Sequence, residues 1–237
     1  MKRVRNFFIG LAVILGGAYA CASIVHPTVI LRYRLTLEAM TPDGPKTGSG
    51  VIQVSYGSQF NLNGGGRKGD MEVTGEAVPL DLGQGKVLFA TLTKDGSGRN
   101  STPGRLDGAL NAEWLPVVIF GFKWNWGEES RLPAQIKAAK AAGPKDVPFR
   151  SLPTLVRFED VSDPKSVRLV EPERLNAAFG EGFALTKATL EITNDPPTDG
   201  IGKVLGWLER IKDYQTDSGN PFTNVLPVSR WQFIQGD

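Results

Sequence analysis

Between residues 29 and 39 the chain reads VILRYRLTLEA, and apolar and polar positions alternate without a break. Leu31, Tyr33, Leu35, Leu37 and Ala39 fall on one side, and Arg32, Arg34, Thr36 and Glu38 on the other. A period of two is the geometry of an extended chain with one dry and one wet face, so the stretch predicts a strand. TPDGPKTG follows, in which Pro42, Asp43 and Gly44 supply turn chemistry. GVIQVSY alternates again through Ile52, Val54 and Tyr56, which predicts a β-hairpin.

The same reading carries through the rest of the chain. NLNGGGRKGD (61–70) predicts a turn between strands. It is not a phosphate loop, because Asp70 stands where the Lys of Gly-x4-Gly-Lys-Ser/Thr is required, and an acid repels phosphate. MEVTGEAV and KVLFATLTK predict two more strands, and DGSGRNSTPG (95–104) a loop that carries the formal sequon Asn100-Ser101-Thr102. In residues 110–130 Trp114, Phe120, Phe122, Trp124 and Trp126 crowd together, and the last four alternate as on one strand face. The stretch 114–126 is read as a buried strand with its packing partners; the competing reading is an interfacial patch at a bilayer, where Trp is favoured.

LPAQIKAAKAAGP (132–144) predicts a short helix, opened by Pro133 and stopped by Gly143 and Pro144. Residues 152–193 read strand, turn, short strand, helix and long strand, with Pro172 opening the helix and Gly180 closing it. In the long strand Ala184, Thr186, Ala188, Leu190 and Ile192 share a face. Ile201, Val204, Leu205, Leu208 and Ile211 have helical spacing, and TNVLPVSRWQFIQ reads as a last strand. The prediction is one α+β domain over residues 27–237, mostly antiparallel sheet with about three short helices.

Ahead of it stands MKRVRNFFIGLAVILGGAYACASIVHP. Three bases precede an uncharged run over residues 6–25, close to the minimum length of a spanning helix. The positive-inside rule keeps Lys2, Arg3 and Arg5 cytoplasmic and sends the body outward. Three fates compete for residues 1–26. Ala18-Tyr19-Ala20 has the small-x-small spacing of a signal-peptidase site, with Cys21 first after the cut. A lipoprotein would carry its lipid on Cys21, although Ala18 and Tyr19 match that motif poorly. Without cleavage the helix is a transmembrane anchor, and this is the reading adopted: an inner-membrane protein with a cytoplasmic N-terminus and a periplasmic body.

Charge changes the picture in one respect. The net charge is +2, but without Lys2, Arg3 and Arg5 the bases number one fewer than the 25 acids. The body is thus nearly neutral, and a nucleic-acid partner, which counterion release would favour for a basic surface, is set aside.

The chemistry is bounded by scarcity. The chain has one Cys and one His, Cys21 and His26, both at the N-terminal segment. An internal disulfide is ruled out. A Ser-His-Asp triad, a Cys-His nucleophile and a His/Cys metal site would all need residues the body lacks. No cofactor and no metal is expected.

Carboxylates remain. Glu159, Asp160 and Asp163 cluster in FEDVSDP, Asp195 and Asp199 flank PPT, and Asp213 and Asp217 lie in DYQTDSGN. Two acids are the machinery of glycoside hydrolysis, and oxygen donors suit hard cations. The same residue types also build turns. Glu159, Asp160 and Asp163 are the candidate catalytic residues.

Residues 31–52 and 152–208 resemble a family of small, uncharacterised proteobacterial proteins with an N-terminal membrane segment. The resemblance spans about a third of the chain and leaves the middle uncovered. It implies the anchored topology. That family has no assigned activity, so no catalytic residue is carried over. The leading expectation is a binding or assembly module of the cell envelope, held in the membrane through residues 6–25 and engaging an envelope protein. The alternative is a carboxylate-dependent hydrolase of an envelope polymer.

Overall fold

The structure is a computed structural model that describes residues 28–61, 66–93, 109–208 and 230–236. The predicted membrane segment with Cys21 and His26, the loop over 95–104, and the acids Asp213 and Asp217 lie outside these residues. No helix among the described residues is long and apolar enough to cross a membrane.

The fold is α+β with two antiparallel sheets. Four long strands dominate the first: β1 (Val29–Thr41), β2 (Gly44–Asn61), β3 (Gly66–Glu76) and β9 (Ala184–Ile192). With the short β6 (Lys145–Asp146) and β10 (Ile234–Gln235) they run in the order β10-β3-β2-β1-β9-β6. The second sheet has the order β4-β5-β7-β8, from β4 (Val78–Gly83), β5 (Lys86–Ala90), β7 (Leu155–Phe158) and β8 (Val167–Leu169). Among the described residues five segments are α-helical: α1 (Leu115–Phe120), α2 (Leu132–Ala142), α3 (Leu175–Phe179), α4 (Ile201–Val204) and α5 (Arg230–Phe233).

The alternation of β1 sets the core. Leu31, Tyr33, Leu35 and Leu37 are at most 1 % exposed, while Arg32, Arg34, Thr36 and Glu38 stay half wet on the outer face. The predicted hairpin is present: β1 and β2 pair from Val29↔Tyr56 down to Thr41↔Gly44, around Pro42 and Asp43. Gly44 turns at φ 104, a region open to glycine. Ile52, Val54 and Tyr56 join the β1 face. Each such side chain taken fully out of water stabilises by about 1.5–3 kcal/mol.

The middle of the second sheet is buried on both faces. Leu88, Ala90 and Leu155 pack toward the long sheet. Phe89, Val156, Phe158 and Val167 point the other way, under a cap of Ile201, Leu205, Trp207, Leu208 and Phe233. A strand buried on both sides carries no alternation, so KVLFA shows no period of two. The sheets approach closely at Gly48 on β2, where a methyl group would sit 2.8 Å from Leu80 Cα on β4, and nearer still to the Pro79 carbonyl oxygen.

Several expectations change. VPLDLG forms β4, which the sequence reading left without an element. The loop predicted over 61–70 is shorter, because Gly66 and the residues after it already pair with β2. The strand predicted through Phe120 to Trp126 is α1 followed by irregular chain. Pro116 sits in the first turn of α1, and Gly121 closes it in the left-handed region at φ 74. The even face expected for β9 breaks at a bulge. Register steps from Glu38↔Lys187 to Ala39↔Leu185, so Thr186 is the extra residue. Leu185 is therefore buried and Ala184 exposed, while Ala188, Leu190 and Ile192 keep the expected face. The helix expected from residue 201 ends at Val204, which is exposed, before a turn through Trp207. The expected last strand is described only as α5 and the two residues of β10.

Candidate functional site

At the open edge of the second sheet lies a groove of about 340 Å³, lined by residues of β7, β8 and the chain through α3. Arg157 on β7 stands directly opposite Arg168 on β8. Cross-strand partners share a face, and two like charges placed so repel each other. Glu159 relieves this from the same face. Its two oxygens accept from Arg168, Oε2 from Nη2 at 2.9 Å and Oε1 from Nε at 3.2 Å, and its Oε1 lies 3.9 Å from Arg157 Nη2.

The other wall is α3 and the turn before it. Pro172 opens that turn and Gly180 ends the helix. The helix is tied to the sheet at its end, where Lys86 Nζ donates to the Phe179 carbonyl at 3.2 Å. The buried Phe179 ring lies beneath Arg157, 5.8 Å from the guanidinium carbon. Arg174 and Glu171 complete the charged lining, 3.4 Å apart, and Ala177 and Ala178 of α3 line the groove with them. Three guanidinium groups thus face two carboxylates, which leaves one positive charge in excess. Leu169 on the rim is 58 % exposed, unusual for so large an apolar side chain.

Of the three acids singled out from the sequence, Glu159 alone lines this groove. Asp160 and Asp163 organise the turn between β7 and β8. Asp160 Oδ1 accepts from the Ser162 hydroxyl at 2.7 Å and the Ser162 N–H at 2.8 Å, and these bonds hold its carboxyl below the usual range. Asp163 accepts from the Lys165 N–H at 2.9 Å, as the cap of a single 3-10 turn. Asp195 lies on the outer face of the long sheet, 2.5 Å from Arg34; bonds from Thr193 and then Arg34 lower its pKa. Among the described residues no group of three or more His, Cys, Asp or Glu is placed to hold a metal ion.

The arginines were missed because nothing in the sequence singles them out. Their signal was faint: LVRF and VRL each set one arginine inside a short apolar strand. Only the register of β7 on β8 makes them neighbours.

A second polar locus lies at the other end of the long sheet, under the aromatic stretch. Tyr33 and Tyr56 donate to the carbonyls of Ala112 and Glu113, each at 2.8 Å. Burial pushes both phenols well above their ordinary pKa. Glu113 is also pushed up by burial, against the pull of its own N–H and of the Asn111 amide. Trp124 meets Tyr56 edge-on at 5.3 Å and stacks with Trp114 at 6.4 Å. Trp126 lies on Gly69 of β3, where any side chain would collide with the indole ring. Trp114 and Trp124 are therefore partly buried against the core, and Trp126 is 38 % exposed.

No family model, curated protein or solved structure matches the chain.

Proposed function

We propose that the protein is a binding or assembly module of the bacterial envelope and that the arginine groove is its working surface. An uncut helix over residues 6–25 anchors it in the inner membrane, and the β-rich body stands in the periplasm. The observation that carries the binding role is the groove itself. Its guanidinium groups exceed its carboxylates, and Arg157 and Arg174 keep donors to spare beside exposed Leu169. Arginine's planar fork suits a carboxylate or a phosphate. Such a surface recognises an anionic group on a partner.

The test is affinity capture of the full-length protein from cross-linked envelopes, beside a variant with Arg157, Arg168 and Arg174 all changed to Ser. A partner captured by the parent and lost with the variant supports the reading. An identical set of captured proteins counts against it. Intact mass of the extracted protein tests the anchor: a retained N-terminal segment supports it, and a lipid-modified or free Cys21 at the new terminus removes it.

One observation favours the hydrolase alternative: Glu159 and Glu171 line the same groove, as a pair of catalytic carboxylates would. Both are engaged by arginines, Glu159 through both oxygens, and a general acid must hold a proton on one of its own. Hydrolysis of an envelope glycan by the purified protein, lost in Glu159→Gln, would establish this alternative over the binding role.

A further inference from the structure

We propose that the groove receives an extended segment of a partner protein, which adds to β8 as a further strand and seats an Asp or Glu side chain among Arg157 and Arg174. The proposal rests on the groove being a binding surface and names what it binds.

The first support is the backbone. β8 is an edge strand, with β7 on one side and no strand on the other among the described residues. Val170 N–H donates to the Leu155 carbonyl, and Glu159 N–H to that of Ser166. Antiparallel ladders alternate, so Arg168 also points its backbone groups at β7, while Val167 and Leu169 point theirs outward. Arg168 Nη1 occupies the Val167 carbonyl at 2.9 Å. Val167 is buried, so the N–H and the carbonyl of the exposed Leu169 are the groups that remain for an incoming strand. An edge of this kind is a template for pairing with another chain.

The second support is the side chains. The exposed Leu169 offers apolar contact at the place where the backbone is open. A free phosphate or a small carboxylate would use the arginines and ignore that side chain; a peptide uses both. The charge excess selects an acidic peptide over a basic one. It also opposes a second copy of this chain, since two β8 edges brought together would face each other with the same surplus of guanidinium.

The probe is an array of ten-residue peptides, each with one Asp or Glu among varied Val, Ile, Thr and Ser, overlaid with the full-length protein in detergent. The best binder is then remade as a soluble labelled peptide. Binding should weaken about tenfold or more when its acid becomes Asn, and likewise in Arg174→Gln. N-methylation of the peptide backbone should abolish binding at alternate residues only, because only every second N–H of an added strand faces β8. In the protein, Leu169→Pro removes an outward N–H, spares the ladder to β7, and should also abolish binding.

If N-methylation has no alternating effect while the acid still matters, strand addition is wrong and the groove is a simple anion site, with the binding role intact. If no peptide binds although capture from envelopes depends on the arginines, strand addition is again overturned. If capture is also indifferent to the arginines, the reading of the groove falls with it. A dimer in sedimentation that Leu169→Pro dissociates would overturn the proposal in favour of a second copy.

Discussion

Tyr33 and Tyr56, on neighbouring strands of the long sheet, donate their hydroxyls to the carbonyls of consecutive residues, Ala112 and Glu113. The pair clamps the segment that leads into α1 and the aromatic stretch, and every atom involved is buried. Replacing either tyrosine by Phe keeps the ring and orphans a buried carbonyl. Each substitution should cost about 1–3 kcal/mol in denaturant unfolding. Because the two bonds hold one segment, the double variant should depart from the sum of the single costs. A Tyr33→Phe protein as stable as the parent would show that the clamp does not hold the fold.

Glu113 predicts a pH dependence of opposite sign to the usual carboxylate. Burial raises its folded pKa above the ordinary 4.5. The folded chain then holds that proton more tightly than the unfolded chain. The resulting stability is complete below pH 4.5 and is lost as the pH rises through the raised folded value. Glu113→Gln keeps the shape and removes the titration. Its stability relative to the parent should rise from pH 4 toward pH 7, followed by urea unfolding at each pH. A constant difference across that range would mean that burial does not perturb the carboxyl.

Gly48 and Gly50 should rank clearly. Both lie on the inner face of β2, under β4. A methyl at Gly48 meets backbone of Pro79 and Leu80, whereas at Gly50 the nearest atom is Val78 Cγ2, at 3.0 Å, which can rotate. Gly48→Ala should destabilise by about 3 kcal/mol or more, and Gly50→Ala by about 1 kcal/mol. Equal melting temperatures for the two variants would contradict the close approach of the sheets.

Glu159 separates binding from catalysis. Half exposed, its pairing with Arg168 is worth no more than about 1 kcal/mol of stability. Glu159→Gln frees positive charge in the groove, so it should tighten an acidic ligand severalfold in a fluorescence titration. An essential catalytic carboxylate would behave otherwise, with turnover lost and binding little altered.

The aromatic stretch should act through packing. Trp124→Ala removes contacts to Tyr56, Trp114 and Trp126, and should cost about 3 kcal/mol. Trp126→Ala should cost less, since that ring is partly in solvent. For the interfacial reading the relevant measurement is carbonate extraction of a body lacking residues 1–26. Retention in the membrane, lost with Trp126→Ala, would make this stretch a second membrane contact.

Local pattern by itself determined the elements whose residues answer to their own neighbours. The period of two in residues 29–39 needs only a dry side and a wet side, so β1 was legible. Pro42, Asp43 and Gly44 set the first turn through their own backbone preferences, and proline and glycine likewise bounded α2 and α3. Tertiary contacts decided the rest. KVLFA was legible as a strand, but its apolar residues face both layers and only the packing assigns them; VPLDLG alternates, with Val78, Leu80 and Leu82 inward, yet Pro79 disguises so short a strand. In the aromatic stretch an alternation of Phe and Trp imitated a strand, but Pro116 and Gly121 broke it and side chains from separate turns filled one space. At Thr186 an extra residue shifted the inner face by one position, a change that no hydrophobic count reveals. The candidate site belongs to this second class. FEDVSDP drew attention because its acids are adjacent in sequence, yet adjacency placed Asp160 and Asp163 in a turn. Arg157, Arg168 and Arg174 meet across strand register and a helix packing, and proximity in space, which governs charge, is set by those pairings and not by order along the chain.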